Sequence, residues 1–468
     1  MYYSELLKLC AFEDDEIKKD SRRIEKAFEK VEIAKEDCDR ALERIRTYFD
    51  LDLLSIRRML GLWIKELVDL LNAEEEGKTL VYYSFPSIGG LGLAVSLSSD
   101  KVHCVVPETI LSHALGQIFG NERYNPLLEA AERNGLPPGL GLCSLNQARW
   151  GAIVKGIIPP PRATLTSAFF CDQTSQADDL LLHRFGGVEV IPFDSCLDSL
   201  WGEFPNYDEE RVKYLGKEIN DAYAKLEEVL DIKITQEAFD GVNKFFGQFW
   251  MALNTINEFQ KNDPVPLAAA HFGLFRFLST ACSKRVISEL PSAMNELAKE
   301  VKKRVDEGKG VGEKGAPRVL WCMPFFTDPT ILHMAESVGL AIPVQWICYF
   351  WPTPPWKTNY TTFGEQKAEV EMKVGLYSAG SACPWRMKQV AEIWKPDGIV
   401  WDYLFSCRPF SLLSLATKYE LEKDLRLPAL ALEVDIYDTR SYSAQALRTR
   451  VETFAEMLRA RKALNQAA

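Results

Sequence analysis

The sequence predicts an α/β protein of two Rossmann/flavodoxin-like lobes with mostly parallel sheets, plus an N-terminal helical hairpin and a helical connector between the lobes. Three observations carry this. From Lys78 onward, short apolar runs ending in glycine or proline alternate with helical stretches, as expected of a parallel sheet covered by helices. The alternation gives way to long charged helical stretches over residues 206–310 and resumes beyond Gly308–Gly315. Residues 13–72 are charge-rich and almost free of glycine and proline.

The elements follow in order. Over residues 1–75, apolar side chains recur at Ile17, Ile24, Phe28, Val31, Cys38, Leu42 and Ile45. This is a narrow helical seam of the coiled-coil kind. A second amphipathic run, Leu53–Leu71, follows Asp50-Leu-Asp52, so a helical hairpin serving as scaffold is expected. Residues 76–205 form the first lobe, with strands expected at Leu80–Phe85, Val102–Val106, Ala163–Phe169 and Val188–Phe193. Residues 206–315 form the connector, with helices at Asp208–Val229 and Ser292–Glu307, closed by a linker at Gly308–Gly315. Residues 316–468 form the second lobe, with strands at Val319–Met323, Val344–Phe350, Gly398–Phe405 and Leu427–Glu433. The sequence contains no internal repeat of solenoid period.

Composition excludes several classes. With 55 Lys and Arg against 66 Asp and Glu, the net charge is −11, which argues against a nucleic-acid binder. The 468 residues accommodate two to four domains at roughly 100–200 residues each. Eleven scattered cysteines do not make a small secreted disulfide scaffold, and no CxxC pair marks a zinc ribbon or a thioredoxin-like site. The default expectation is buried, reduced thiols. The start, MYYSELLKLC, lacks the basic and apolar regions of a signal peptide. The uncharged runs Thr79–Ser99 and Ser337–Trp356 are broken by Pro86, Pro343, Pro352, Pro354 and Pro355, unlike membrane helices. A cytoplasmic protein that engages no membrane is expected.

Most motifs yield little. Ser87-Ile-Gly-Gly-Leu-Gly92 lacks the Lys-Ser/Thr ending of a P-loop and does not fit GxGxxG, so no ATP hydrolysis is expected of this chain. His103, His113, His183, His271 and His333 fall in no metal-ligand spacing, and no G-x-S-x-G elbow is present. Three cysteines differ in their setting. Cys143 follows the Pro137-Pro-Gly turn, Cys171 ends the expected strand after Leu165, and Cys407 ends the one beginning near Ile399. Strand ends of open α/β sheets face the ligand crevice, and a helix N-terminus stabilises a thiolate. Residues from both lobes are thereby expected at one cleft.

Five segments, in order, resemble the ATP-dependent 2-hydroxyacyl-CoA dehydratase and benzoyl-CoA reductase family. Val106-Pro-Glu-Thr-Ile-Leu-Ser-His-Ala-Leu-Gly116 is similar to the family's Pro-Glu-Glu-Leu segment. Cys143-Ser, Cys171-Asp and Ser406-Cys-Arg-Pro-Phe-Ser411 resemble its three cluster-ligand segments. Glu433-Val-Asp-Ile-Tyr-Asp-Thr-Arg-Ser-Tyr-Ser443, with Arg450-Val-Glu-Thr-Phe454 behind it, resembles its Asp-x-Arg-x-Tyr-Ser ending. Two departures stand out: Thr109 replaces the second glutamate, and Asp172-Gln-Thr-Ser-Gln-Ala replaces a lysine-rich run.

The resemblance implies a [4Fe-4S] cluster on Cys143, Cys171 and Cys407, with one iron lacking a cysteine and open to water or to an acyl-CoA thioester carbonyl. It implies dehydration of a 2-hydroxyacyl-CoA through a ketyl radical anion. The alternatives are aromatic-ring reduction of the benzoyl-CoA reductase type and a non-catalytic electron-transfer or cluster-carrying subunit. Glu108 is the candidate for acid–base or orienting work, and Cys383 the candidate fourth ligand. Arg408 is a candidate donor to cluster sulfides or a CoA phosphate, and Asp435, Asp438, Arg440 and Tyr442 are expected to hold the C-terminal turn. The implied partners are a homologous sister subunit, or a second copy in a homodimer, and a separate ATP-dependent activator.

Overall fold

A computed structural model describes residues 1–468 except 86–89, 137–141, 169–170, 195–203, 323–327, 350–358, 375–381 and 468. Most of the glycine-rich Ser87–Gly92 segment, the Pro137-Pro-Gly turn and Cys196 lie outside the described residues.

The first lobe is a four-stranded parallel sheet of order β2-β1-β3-β4. Its strands are β1 (Thr79–Tyr83), β2 (Val102–Val105), β3 (Ala163–Thr166) and β4 (Glu189–Pro192). The second lobe holds β5 (Arg318–Cys322), β6 (Ala341–Gln345), β7 (Gly398–Leu404) and β8 (Ala429–Val434), in the order β6-β5-β7-β8. The two lobes therefore share one topology. Each reverses direction beside its first strand, between β1 and β3 and between β5 and β7, which opens a crevice at the carboxyl ends of those strands. The central strands are buried nearly throughout, as in Val319–Cys322 and Gly398–Asp402, because helices cover both faces of a parallel sheet.

Some elements differ from expectation. Strand β6 begins at Ala341, not Val344, and runs through Pro343. Proline is tolerated because β6 is an edge strand. The Lys284–Asp306 helix starts well before Ser292: Ser283 caps it by accepting from the Val286 amide, and Pro291 lies inside. The expected linker is tethered, with Val311 bridged to Val265 and the Gly315 amide donating to Asp263.

The N-terminal region is not a hairpin. Its helices are Ser4–Leu9, Asp14–Lys19, Ser21–Lys30, Lys35–Tyr48 and Leu54–Asn72. The apolar seam is divided among three of them because the chain breaks at Asp20 and again at Glu32, whose φ of +57° is left-handed. All seven seam residues are nevertheless buried. The Leu54–Asn72 helix is buried on most sides, and the Trp63 indole donates to the Leu274 carbonyl at 3.2 Å. Arg44 joins this region to both lobes, donating from Nε to the Gln117 carbonyl at 2.7 Å and pairing with Asp328 at 2.6 Å. Among the described residues, no helix is long and apolar enough to cross a membrane.

Candidate functional site

Each of the three singled-out cysteines occupies the N-cap of a helix. Cys143 precedes Ser144–Val154, Cys171 precedes Asp172–Phe185 beyond β3, and Cys407 precedes Arg408–Leu425 beyond β7. Cys171 and Cys407 thus hold matching places, after the third strand of each lobe, where the crevice opens. The amides of Leu145 and Asn146 favour the Cys143 thiolate, those of Gln173 and Thr174 favour Cys171, and that of Phe410 favours Cys407.

Burial outweighs this help. It pushes the Cys143 thiol up to about 12 and Cys171 up to about 11, and raises Cys407 well above the usual range. The three also repel one another: Cys171 raises Cys143, and both raise Cys407. Three thiols from two lobes therefore share one buried space that disfavours their anions unless a cationic centre lies among them. Among the described residues, no group of three or more His, Cys, Asp or Glu could hold a single metal ion. A cube places its ligands on separate irons, so it does not require that tight grouping. Cys383, the candidate fourth ligand, lies beside Cys322, Arg386 and Thr417.

The walls of this space are cross-linked. Asn146 Nδ2 donates to Cys143 Sγ at 3.6 Å and lies 3.5 Å from Thr174 Oγ1, whose hydroxyl donates to the Phe85 carbonyl at 2.6 Å. Between lobes, Gln173 Nε2 donates to the Ser406 carbonyl at 3.3 Å, Arg408 pairs with Asp172 at 2.9 Å, and Ser144 Oγ donates to the Ile436 carbonyl. Asp435 Oδ1 accepts from the Ser406 amide at 3.1 Å, its hydroxyl at 2.5 Å and the Ile436 amide at 2.8 Å. Its Oδ2 is buried with no hydrogen-bond partner among the described residues. Burial raises this carboxyl to about 6.

Tyr437 clamps the far side. Its backbone is left-handed at φ +59°, a conformation disfavoured for a bulky residue. Its hydroxyl accepts from Gln117 Nε2 at 2.7 Å and lies 3.2 Å from His113 Nε2. His113 Nδ1, 2.9 Å from the Thr109 carbonyl, must carry the proton there, so Nε2 accepts from Tyr437. Burial lowers His113 to about 3 and keeps it neutral. His113 and Gln117 belong to a π-helical turn, Leu111–Phe119, a form that often marks functional sites.

Glu108, in the Pro107–Ile110 turn after β2, is fully buried. Its Oε1 lies 3.2 Å from Arg149 Nε and accepts from the Phe85 amide at 3.4 Å. Arg149 Nη1 lies 2.8 Å from Asp178 Oδ1 and donates to Ser84 Oγ at 2.6 Å, and that hydroxyl donates to Asp178 Oδ2 at 2.7 Å. Burial raises Glu108 to about 7 against the opposing pull of Arg149. Arg149 sits six residues into the helix that Cys143 caps, and Asp178 seven into the helix that Cys171 caps. The buried charges thus tie the two cysteine-bearing helices to Glu108. No motif marks Arg149 or Asp178 in the sequence. The one signal is a lone charge, Arg149, in the otherwise uncharged Ser144–Val154. Of the C-terminal set, Arg440 pairs with Asp438 at 2.8 Å and Glu132 at 2.6 Å, and so fastens the turn to the first lobe.

Gly151 allows this helix to dock: a Cβ there would overlap the Leu127 carbonyl oxygen. Gly151→Ala is expected to cost about 1–3 kcal/mol or more, read as a fall in the urea unfolding midpoint. An unchanged midpoint would contradict the packing described.

Residues 104–458 match the family described as 2-hydroxyglutaryl-CoA dehydratase, D-component. The chain belongs to this family. The match spans Glu108 and all three N-cap cysteines. Two relatives are also similar. The (R)-2-hydroxyglutaryl-CoA dehydratase subunit alpha of Acidaminococcus fermentans is 23% identical over 269 residues, 56% of this chain and 54% of the relative. The (R)-phenyllactyl-CoA dehydratase alpha subunit of Clostridium sporogenes is 23% identical over 260 residues, 54% of this chain and 61% of the relative. The dehydratase-family chain therefore spans little more than half the length of these curated relatives.

Proposed function

We propose that this chain is the cluster-bearing subunit of an enzyme that removes water from a 2-hydroxyacyl-CoA to give an enoyl-CoA. The reading rests on one observation above all: three buried thiols, each at a helix N-cap and drawn from both lobes, meet in one space. The donor set fits a [4Fe-4S] cluster held by Cys143, Cys171 and Cys407. Helix amides favour each thiolate, and a cationic iron centre offsets the repulsion between them. Three thiolates for four irons leave one iron to an oxygen donor. When bound, the cluster would supply a low-potential electron to the acyl thioester, allowing the 2-hydroxyl to leave as hydroxide and the 3-hydrogen as a proton, and it would take the electron back as the enoyl-CoA forms.

The chain's own residues do the remaining work. Asn146 and the helix amides hold the sulfurs, and the Tyr437 clamp with the Ser144–Ile436 bond keeps the lobes in register. Arg408, half-exposed at the rim beside Asp172, is placed for an anionic group such as a CoA phosphate. Glu108 moves or holds a proton. Because both relatives are named as alpha subunits, a homologous sister subunit is part of this proposal, as is a separate ATP-dependent activator that delivers the electron.

The test is anaerobic iron and sulfide analysis of the full chain, with EPR before and after adding a 2-hydroxyacyl-CoA. About four irons per chain and a spectrum altered by the thioester are expected. Colourless, iron-free protein after reconstitution overturns the proposal. A loaded cluster indifferent to any acyl-CoA assigns the chain an electron-carrying role instead.

A further inference from the structure

Two fully buried carboxyls, Glu108 and Asp178, share one fully buried guanidinium, that of Arg149. If both were ionised, the group would carry one uncompensated negative charge with almost no access to water. A buried charge without a partner is strongly unfavourable, and a proton removes it. The geometry decides which carboxyl takes that proton. Asp178 has the closer guanidinium contact, 2.8 Å, and accepts from the Ser84 hydroxyl at 2.7 Å, which Arg149 polarises from 2.6 Å. Glu108 has only the 3.2 Å approach of Nε and a long 3.4 Å bond from the Phe85 amide. Its Oε2 is buried and has no hydrogen-bond partner among the described residues; Asp178 Oδ1 also makes no hydrogen bond, but it has the ion-pair contact with Arg149 that Oε2 lacks. The other titratable group facing the pair is Tyr82 of β1, whose hydroxyl donates to the Pro159 carbonyl at 2.7 Å and stays neutral.

We propose that Arg149 and Asp178 are positioning residues that hold Glu108 as a neutral carboxylic acid, so that its unpartnered oxygen carries a hydrogen-bond donor, not an acceptor. This rests on the reading of the site as a dehydratase centre and assigns Glu108 its form within it. Asp178, with its better partners, keeps the guanidinium, and Glu108 keeps the proton.

The experiment is infrared titration of the carboxylic-acid C=O band in the full chain, with Glu108→Gln, Asp178→Asn and Arg149→Met. A band that titrates near neutrality and is missing in Glu108→Gln is expected. In Asp178→Asn the competing anion is gone, so Glu108 turns to the guanidinium and its proton affinity falls at least tenfold. In Arg149→Met a second carboxylic-acid band appears, because neither carboxyl then has a cation. Glu108→Gln and Asp178→Asn are close to isosteric, and either alone decides the assignment. The inference is overturned if the band survives Glu108→Gln but vanishes in Asp178→Asn, or if Asp178→Asn leaves the midpoint in place. Iron content is read on the same samples. Iron without the band defeats this inference alone, whereas the band without iron defeats the dehydratase reading and leaves the proton assignment standing.

Discussion

Replacing Cys171 or Cys407 by alanine is expected to reduce bound iron from about four per chain to below one, the largest effect of any single change in this protein. Both residues end the third strand of their lobe and cap the helix that follows, so each brings a sulfur from one side of the crevice. With either removed, two thiolates remain, and two ligands cannot hold a four-iron cube against loss to chelators. Neither side chain makes a capping hydrogen bond to its helix, so the alanine variants are expected to fold, and circular dichroism separates iron loss from unfolding. Cys10→Ala and Cys383→Ala are the controls. Cys10 is buried among the N-terminal helices, and Cys383 sits beside Cys322, Arg386 and Thr417. Both variants are expected to retain iron. Retention of iron by Cys171→Ala or Cys407→Ala would remove those residues from the ligand set.

The strands were legible because their chemistry is local. Val319–Cys322 and Gly398–Leu404 are β-branched and apolar runs closed by turns, and pattern finds such runs within a residue or two. β6 slipped because Pro343 reads as a breaker, and only the sheet order reveals an edge where it does no harm. The N-terminal seam keeps its apolar spacing over Ile17–Ile45, yet spacing alone does not register that Glu32 turns left-handed. The matched topology of the lobes left no trace as a sequence repeat, because strand order depends on which strands pair and not on which residues compose them. At the site, the cysteines were legible as strand ends expected at one cleft, but the contacts that set their convergence were not. That convergence depends on contacts between residues as far apart as Ser144 and Ile436, or His113 and Tyr437. Arg149 and Asp178 were silent for a further reason. A buried charge is identified by its partners, and here the partners come from separate elements of the first lobe.

Arg149→Met is expected to destabilise the fold by about 3–5 kcal/mol at neutral pH, the cost of removing one partner from a buried ionic group. The side chain is 1% exposed, and Ser84, Glu108 and Asp178 all depend on it. Methionine fills much of the volume, so the loss is mainly electrostatic, and its pH dependence gives it away. Without the guanidinium, Glu108 and Asp178 remain buried only if both are protonated, so their folded pKa values lie above those of the unfolded chain, near 4. The folded state then binds more protons than the unfolded state. Stability therefore falls as pH rises above the unfolded values, by up to about 2.7 kcal/mol per unit for two protons, until the folded carboxyls ionise. In the native protein burial raises Glu108 to about 7 and raises Asp178 as well, against the opposing pull of Arg149, so its own stability also falls with rising pH, but less steeply than that of the variant. Urea unfolding at pH 5.5 and pH 7.5 separates the two. The deficit of Arg149→Met relative to the native chain should be markedly larger at the higher pH. A deficit equal at both pH values would mean that the methionine disturbs packing alone and that the buried carboxyls do not depend on the guanidinium for their charge.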